Sequence, residues 1–207
     1  MALTKVIGNG LGTLGDGTAN DTKIVFDGNA QDYHIGLDDS ADTLVIGKGS
    51  ALGTTTSMSF DANGIITKPL QPAFLIKASG GQQNISTGSL TEVQWNGTEV
   101  FDQNGDFASH NFTAPVTGRY QFNAHMYLNA VDTGATYFQL EIQTSNRNYP
   151  LVFTPNFSSD LTYHQVTLTM LADMDASDTA AIRVLQSGGT AQLDIDGGSY
   201  FSGYLVC

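Results

Sequence analysis

A chain of 207 residues is long enough for one large all-β domain, or for one domain with a small extension. Its 20 acids against 8 bases leave a net charge of −12, a field that repels a phosphate backbone and excludes nucleic acid as a partner. Charged residues are 14% of the chain where about a quarter is usual, so the surface is one of hydroxyls and amides, as in β-rich proteins, rather than of Glu- and Lys-covered helices.

Residues 1–21 form a leader of small residues, with five glycines between Gly8 and Gly17. Such a stretch has high chain entropy and cannot build a core alone. Its aliphatics, Leu3, Val6, Ile7, Leu11 and Leu14, are more than a solvated tail needs, so the leader is read as an anchor that orders when it docks on a partner. Met-Ala-Leu-Thr-Lys at the start lacks the apolar core of a secretory signal. No apolar run approaches the ~20 residues of a membrane span, so synthesis in a cytoplasm and no membrane insertion are expected.

Residues 22–68 read as short strands and tight turns. Lys23–Phe26 runs into Asp27-Gly28-Asn29, Asp32–Leu37 into Asp38-Asp39-Ser40, and Thr43–Ile46 into Gly47-Lys48-Gly49. Met58–Phe60 runs into Asp61-Ala62-Asn63-Gly64, followed by Ile65–Thr67. Asp-Gly and Asn-Gly are strong hairpin signals. Two- or three-stranded units of this size are marginal alone, so the segment is expected to borrow its core from neighbouring chains. Lys68-Pro69-Leu70-Gln71-Pro72 then makes a stiff connector.

Residues 69–207 read as one β domain of about eight strands, near 74–78, 91–95, 119–128, 137–143, 149–153, 163–171, 180–186 and 200–206. The clearest is Arg119–Leu128. Tyr120, Phe122, Ala124, Met126 and Leu128 alternate with Gln121, Asn123, His125 and Tyr127, the mark of a strand with one face buried. Pro115 and Gly118 are expected to stop pairing before this strand. Gly118 is expected to take a conformation that valine resists. Inward alternation over several such strands argues for an all-β sandwich, with a jelly roll as the natural form.

Chemistry is hard to find. There is no Gly-x-Ser-x-Gly elbow, no His-Glu-x-x-His and no phosphate-binding glycine loop, so no catalytic residue is assigned. His34, His110, His125 and His164 lie in separate strands or turns, with His125 and His164 on polar faces, and no metal site is assigned. Asp102-Gln-Asn104-Gly-Asp106 has the spacing of half a calcium loop but lacks its later glycine and glutamate, so it reads first as a turn; Asp194-Ile-Asp196 reads first as a strand end. Cys207 is the sole cysteine, so no intrachain disulfide forms. It reads as an inert thiol, with a link between subunits as the alternative.

Phe112-Thr-Ala-Pro-Val-Thr-Gly118-Arg-Tyr120-Gln-Phe122 resembles the signature of the C1q-like branch of the tumour-necrosis-factor jelly-roll superfamily. Pro72-Ala-Phe74 resembles the family's first strand, and Phe101, Asn104 and Phe107 its residues ahead of the motif. Ala172-Asp173 with Ser177-Asp178 resembles its penultimate turn, and Phe201-Ser-Gly-Tyr204-Leu205 its closing strand. Ala124 departs from the pattern, which carries an aromatic there. The resemblance covers about two thirds of the chain and implies a homotrimer, with calcium as a minor option. It makes the second face of the long strand, Gln121, Asn123, His125 and Tyr127, a candidate subunit interface together with Tyr200 and Tyr204. Residues 23–39 and 44–50 resemble segments of phage structural proteins that precede distal knobs.

Together these resemblances imply a virion protein. It would be a homotrimeric short fibre or spike, docked on phage capsid or tail proteins by Leu3, Val6, Ile7, Leu11 and Leu14. Its knob would face a host surface, where a glycan is a further partner. A capsid decoration or head-fibre protein is the first alternative and a stand-alone carbohydrate-binding module the second.

Overall fold

A computed structural model describes residues 14, 15 and 17–207, and these divide into two compact units, Met1–Leu70 and Gln71–Cys207. Leu3, Val6, Ile7 and Leu11, named above as anchor residues, lie outside the described residues. No helix among the described residues is long and apolar enough to cross a membrane.

The first unit is a five-stranded antiparallel meander: β1 (Thr22–Phe26), β2 (Tyr33–Asp38), β3 (Thr43–Lys48), β4 (Thr56–Phe60) and β5 (Ile66–Thr67). A 3₁₀ turn at Asp39–Ala41 joins β2 to β3, capped by the Asp38 carboxylate, which accepts from the Ala41 amide at 3.2 Å. Asp61 closes the β4–β5 turn by accepting from the amides of Asn63 (2.9 Å) and Ile65 (2.8 Å). A single sheet of five strands therefore stands where two- or three-stranded pieces were expected.

The second unit is a sandwich of two sheets, each with five strands in series and a sixth added at one side. The front sheet is ordered β14 (Leu161–Met174), β11 (Gly118–Val131), β17 (Tyr200–Leu205), β6 (Ala73–Lys77), β8 (Glu99–Asp102), with β16 (Asp194–Ile195) on β11. The back sheet is ordered β13 (Asn148–Phe153), β12 (Tyr137–Thr144), β15 (Thr179–Ser187), β10 (Asn111–Thr113), β9 (Phe107–Ala108), with β7 (Thr91–Glu92) on β15. Pro150 sits in β13, an edge strand, where a missing ladder hydrogen bond is tolerated. This is an all-β jelly-roll sandwich, as the alternation predicts.

Between the sheets lies an aromatic core. Tyr120, Phe122, Ala124, Met126 and Leu128 all point inward and are buried. Phe74 stacks on Phe112 at 4.9 Å and meets Phe201 edge-on at 5.0 Å, while Phe122 lies 5.7 Å from Phe201. Tyr120 brings a polar tip into this core and satisfies it by donating to the Val116 carbonyl at 2.8 Å. Phe138, Leu140, Ile142, Ile182 and Val184 face them from the back sheet.

Several expectations change. Of the 91–95 stretch only Thr91 and Glu92 are strand; the Val93 amide still donates to the Ile182 carbonyl at 2.9 Å, and the side chains of Val93 and Trp95 enter the core, 0% and 6% exposed. Gly118 does not precede the long strand but opens it, paired with Met174, and its φ is not positive. What makes it a glycine is space: a Cβ there would lie 2.7 Å from the Cys207 carbonyl oxygen. His164 sits opposite Leu128 and so faces inward rather than on a polar face. Its ring packs 5.0 Å from Phe153 and 5.7 Å from Phe157. The short strands β8, β9, β10 and β16 lie outside the eight expected.

Candidate functional site

The outward face of the front sheet collects the six interface candidates. Two strands of 14 residues, β11 and β14, pair along their length from Gly118–Met174 to Val131–Leu161, and β17 flanks β11 on its other edge. Register then fixes the rows. Leu171, Gln121, Tyr204 and Ala73 form one, and Thr169, Asn123, Ser202, Leu75 and Phe101 the next. Thr167, His125, Tyr200 and Lys77 form a third, and Gln165 and Tyr127 begin a fourth. Gln121, Asn123, His125 and Tyr127 are each partly buried by these neighbours.

Hydrogen bonds order this face before anything touches it. Gln121 Nε2 donates to Thr169 Oγ1 at 2.7 Å, and Thr169 Oγ1 donates to Asn123 Oδ1 at 2.8 Å. His125 Nδ1 is hydrogen-bonded to Thr167 Oγ1 at 3.0 Å, and its ring stacks on Tyr200 at 4.9 Å. Tyr127 meets Tyr163 edge to face at 5.5 Å. Side chains held by neighbours have less rotamer freedom left to lose on association.

The rest of the face is apolar and open. Tyr204 and Leu171 are each 49% exposed, and an apolar groove of about 330 Å³ runs between Leu75, Lys77, Val100 and Tyr200. Among these four rows Lys77 is the one charged side chain. A pre-ordered face with aromatic rings and almost no charge is suited to burial against protein. Nothing on it pairs a nucleophile with a base and an orienting acid.

Of the carboxylates weighed for calcium, Asp102, Asp194 and Asp196 are committed to backbone or side-chain amides. Asp102 accepts from the amides of Asp106 (3.0 Å) and Phe107 (2.8 Å). Asp194 accepts from the Asn84 amide at 2.7 Å, and Asp196 from the Gly198 amide at 2.8 Å and from Asn129 Nδ2 at 3.0 Å. Among the described residues no three or more of His, Cys, Asp and Glu gather as a ligand set.

At one end of the sandwich, Ala130 takes φ 52° and interrupts the pairing of β11 with β14, whose register is unchanged on either side. An open pocket of about 480 Å³ forms beside it, lined by Asn129, Asp160, Thr162, Tyr163 and Gln192 among others. Asp160 accepts from the Thr133 amide (2.9 Å) and hydroxyl (2.8 Å) and from Gln192 (2.9 Å); these bonds hold its carboxyl below the usual range.

Reading from β11 alone misses Leu171, Thr167, Thr169, Leu75 and Phe101 on the same face. The signal for the β14 members was present, since they alternate with the inward Val166, Leu168 and Met170. Of the anchor candidates, Leu14 is described and is 52% exposed, at a groove with Thr22, Ile24, Ile35, Leu37 and Leu44.

The sequence profile of the C1q domain matches residues 73–206. Among solved structures, the globular domain of zebrafish complement 1qA is similar at 20% identity, over 66% of this chain and 98% of that one, with a TM-score of 0.46. No curated protein matches the sequence.

Proposed function

This chain belongs to the C1q-domain family, and from that premise we propose that it is a homotrimeric structural protein of a phage virion whose knob contacts a host surface. C1q domains typically form homotrimers and are ligand-binding or structural modules rather than enzymes. The observation that carries the trimer is the front-sheet face around Gln121, Asn123, His125, Tyr127, Tyr200 and Tyr204. It is hydrogen-bonded within itself, rich in aromatic rings and nearly free of charge. Two copies of the knob cover that face on each subunit, and the threefold arrangement closes without a free edge.

The virion role rests on residues 23–39 and 44–50, which resemble segments of phage structural proteins that precede distal knobs. Its leader, with Leu3, Val6, Ile7, Leu11 and Leu14, docks on capsid or tail proteins. In the fibre reading the pocket beside Tyr163 meets a host glycan. An exposed ring flanked by amides and a carboxylate suits a sugar's apolar face and hydroxyls.

Sedimentation of the full chain tests the trimer: a mass near three times 22.0 kDa is expected. A monomer would overturn it and favour a stand-alone carbohydrate-binding module. Gold-labelled antibody to the knob, imaged on particles of the encoding phage, tests the rest. Label on the tail supports the fibre, label on the head replaces it with a capsid decoration protein, and unlabelled particles overturn the virion role.

A further inference from the structure

The five-stranded sheet of the first unit has one face covered at its centre by its own chain and one face open apart from Leu14, which lies at a groove with Thr22, Ile24, Ile35, Leu37 and Leu44 at one end. On the closed face, Val45 is 2% and His34 1% exposed. The loop after β3 lies over it. His34 Nδ1 is hydrogen-bonded to the Gly49 carbonyl at 2.9 Å, Lys23 Nζ donates to the Ser50 carbonyl at 2.6 Å, and a Cβ on Gly47 would lie 2.5 Å from the Thr55 carbonyl oxygen.

The open face is apolar in register. Ile24, Ile35, Ile46 and Met58 stand opposite one another across four strands. Leu37, Leu44, Phe60 and Ile66 do the same one step along. Phe26 is 58%, Ile66 52%, Leu37 45% and Ile24 43% exposed. Among the described residues of that face, Lys48, at the end of β3 opposite Tyr33, is the sole charged one. Strands about 4.8 Å apart with about 3.4 Å per residue give four strands of about five residues and the two-residue β5 a face of roughly 360 Å². A continuous apolar patch of that size marks an interaction surface.

We propose that the open face packs against the same face of two other copies of this chain, so that three sheets enclose one shared apolar core. The inference rests on the trimer proposed for residues 73–206. Three arguments select this occupant. A linker of five residues, Lys68–Pro72, joins β5 to β6 and spans at most about 17 Å, so a trimeric knob holds three such sheets at millimolar effective concentration. Three faces of roughly 360 Å² together bury about 1,100 Å², which clears the roughly 1,000 Å² a specific interface needs. The face is also free of acids in a chain of net charge −12, so copies that repel elsewhere do not repel there.

The test uses the full chain with Cys207→Ser, carrying Ile24→Cys, Ile46→Cys or Lys23→Cys singly, treated with a short bismaleimide at low protein concentration. Ile24→Cys and Ile46→Cys are expected to give covalent dimers on a denaturing gel. Lys23→Cys, on the closed face, is expected to stay monomeric there. Sedimentation of each untreated variant is read alongside. A trimer without crosslinks at either isoleucine overturns this inference and leaves the knob trimer standing. A monomer overturns both. If Leu11→Cys paired with Ile46→Cys crosslinks within one chain while no dimers form, the leader covers the face instead and the inference falls.

Discussion

Gly203 lies in β17 on the inward face, where the alternation from Phe201 to Leu205 calls for a large apolar side chain. A Cβ placed there would sit 2.6 Å from Phe122 Cδ1, 2.9 Å from its Cε1 and 2.8 Å from Phe74 Cε1. Carbon atoms rest at about 3.5–4.0 Å, so the methyl of Gly203→Ala intrudes by about 1 Å on two rings. Neither ring can leave. Phe74 is 1% exposed, stacked on Phe112 at 4.9 Å and braced by Phe201 at 5.0 Å. Phe122 is wholly buried, 5.6 Å from Phe112 and 5.7 Å from Phe201. Overpacking a tight core costs about 1–3 kcal/mol. Against it stand about 0.8 kcal/mol for burying one carbon and about 0.4–1 kcal/mol from a stiffer unfolded chain. With two rings blocked, the upper end of the cost applies and the net loss is about 1–2 kcal/mol, or a fall in Tm of about 3–8 °C. Thermal melts at fixed protein concentration measure it, since an oligomer's Tm depends on concentration. A second variant isolates the cause. Phe122→Leu should cost less in the Gly203→Ala background than alone, because it vacates the space the methyl needs. A Tm within about 1 °C of the parent, or strictly additive losses, would refute the steric argument.

Asp132 is 6% exposed and accepts from the Gly134 amide at 2.6 Å and from the Thr190 amide, so Asp132→Ala should lose about 2–3 kcal/mol in urea denaturation by leaving both donors unpaired. Burial pushes the Asp106 carboxyl above its ordinary value, with a hydrogen bond from Asn104 opposing and the Asp102 charge adding. The folded chain therefore holds that proton more tightly than the unfolded one. Its stability contribution is fully present below the ordinary carboxylate range and is lost as pH rises through the raised value. Asp106→Asn should thus raise Tm at pH 7 and leave it unchanged near pH 3, as calorimetry at the two pH values would read.

Legibility in the sequence followed the strength of local signals. Strands with period-two alternation, such as 119–128 and 163–171, were readable because a half-buried ladder forces that pattern. The β9–β10 hairpin was not. Its turn residues, Ser109 and His110, take φ 49° and 70° in place of the Asn-Gly such a turn favours. His110 belongs there for a tertiary reason, since its Nδ1 accepts from the Trp95 amide at 3.0 Å. Trp95 and Val93 look like strand by composition; the Val93 amide keeps a partner in the Ile182 carbonyl, but the Trp95 amide is given to His110 instead of to a neighbouring strand. His164 was misplaced by residue type, although the phase of Val166 and Leu168 already pointed it inward. The six outer-face candidates could be placed together because β11 and β17 are neighbours in this fold. That adjacency came from the closing Phe-Ser-Gly-Tyr-Leu strand and from no property of either strand alone.

The two exposed faces differ in what they allow a lone subunit to do. The outer face of the knob keeps its polar groups paired within itself, through Gln121 to Thr169 and His125 to Thr167, so a free knob can stay dissolved. The open face of the first sheet has no such ladder, and its isoleucines and phenylalanines gain only by contact with apolar surface. In the proposed trimer, knob association would then precede or accompany closure of the first sheets, since three sticky faces would otherwise meet in random register. A charge placed at the centre of the knob face, Tyr200→Asp, should then yield aggregates rather than clean monomers when the full chain refolds. Adding Ile24→Asp and Ile46→Asp should return a soluble monomer of 22.0 kDa, measured by light scattering after chromatography. A soluble monomer from Tyr200→Asp alone would mean that the apolar face is already covered within one chain.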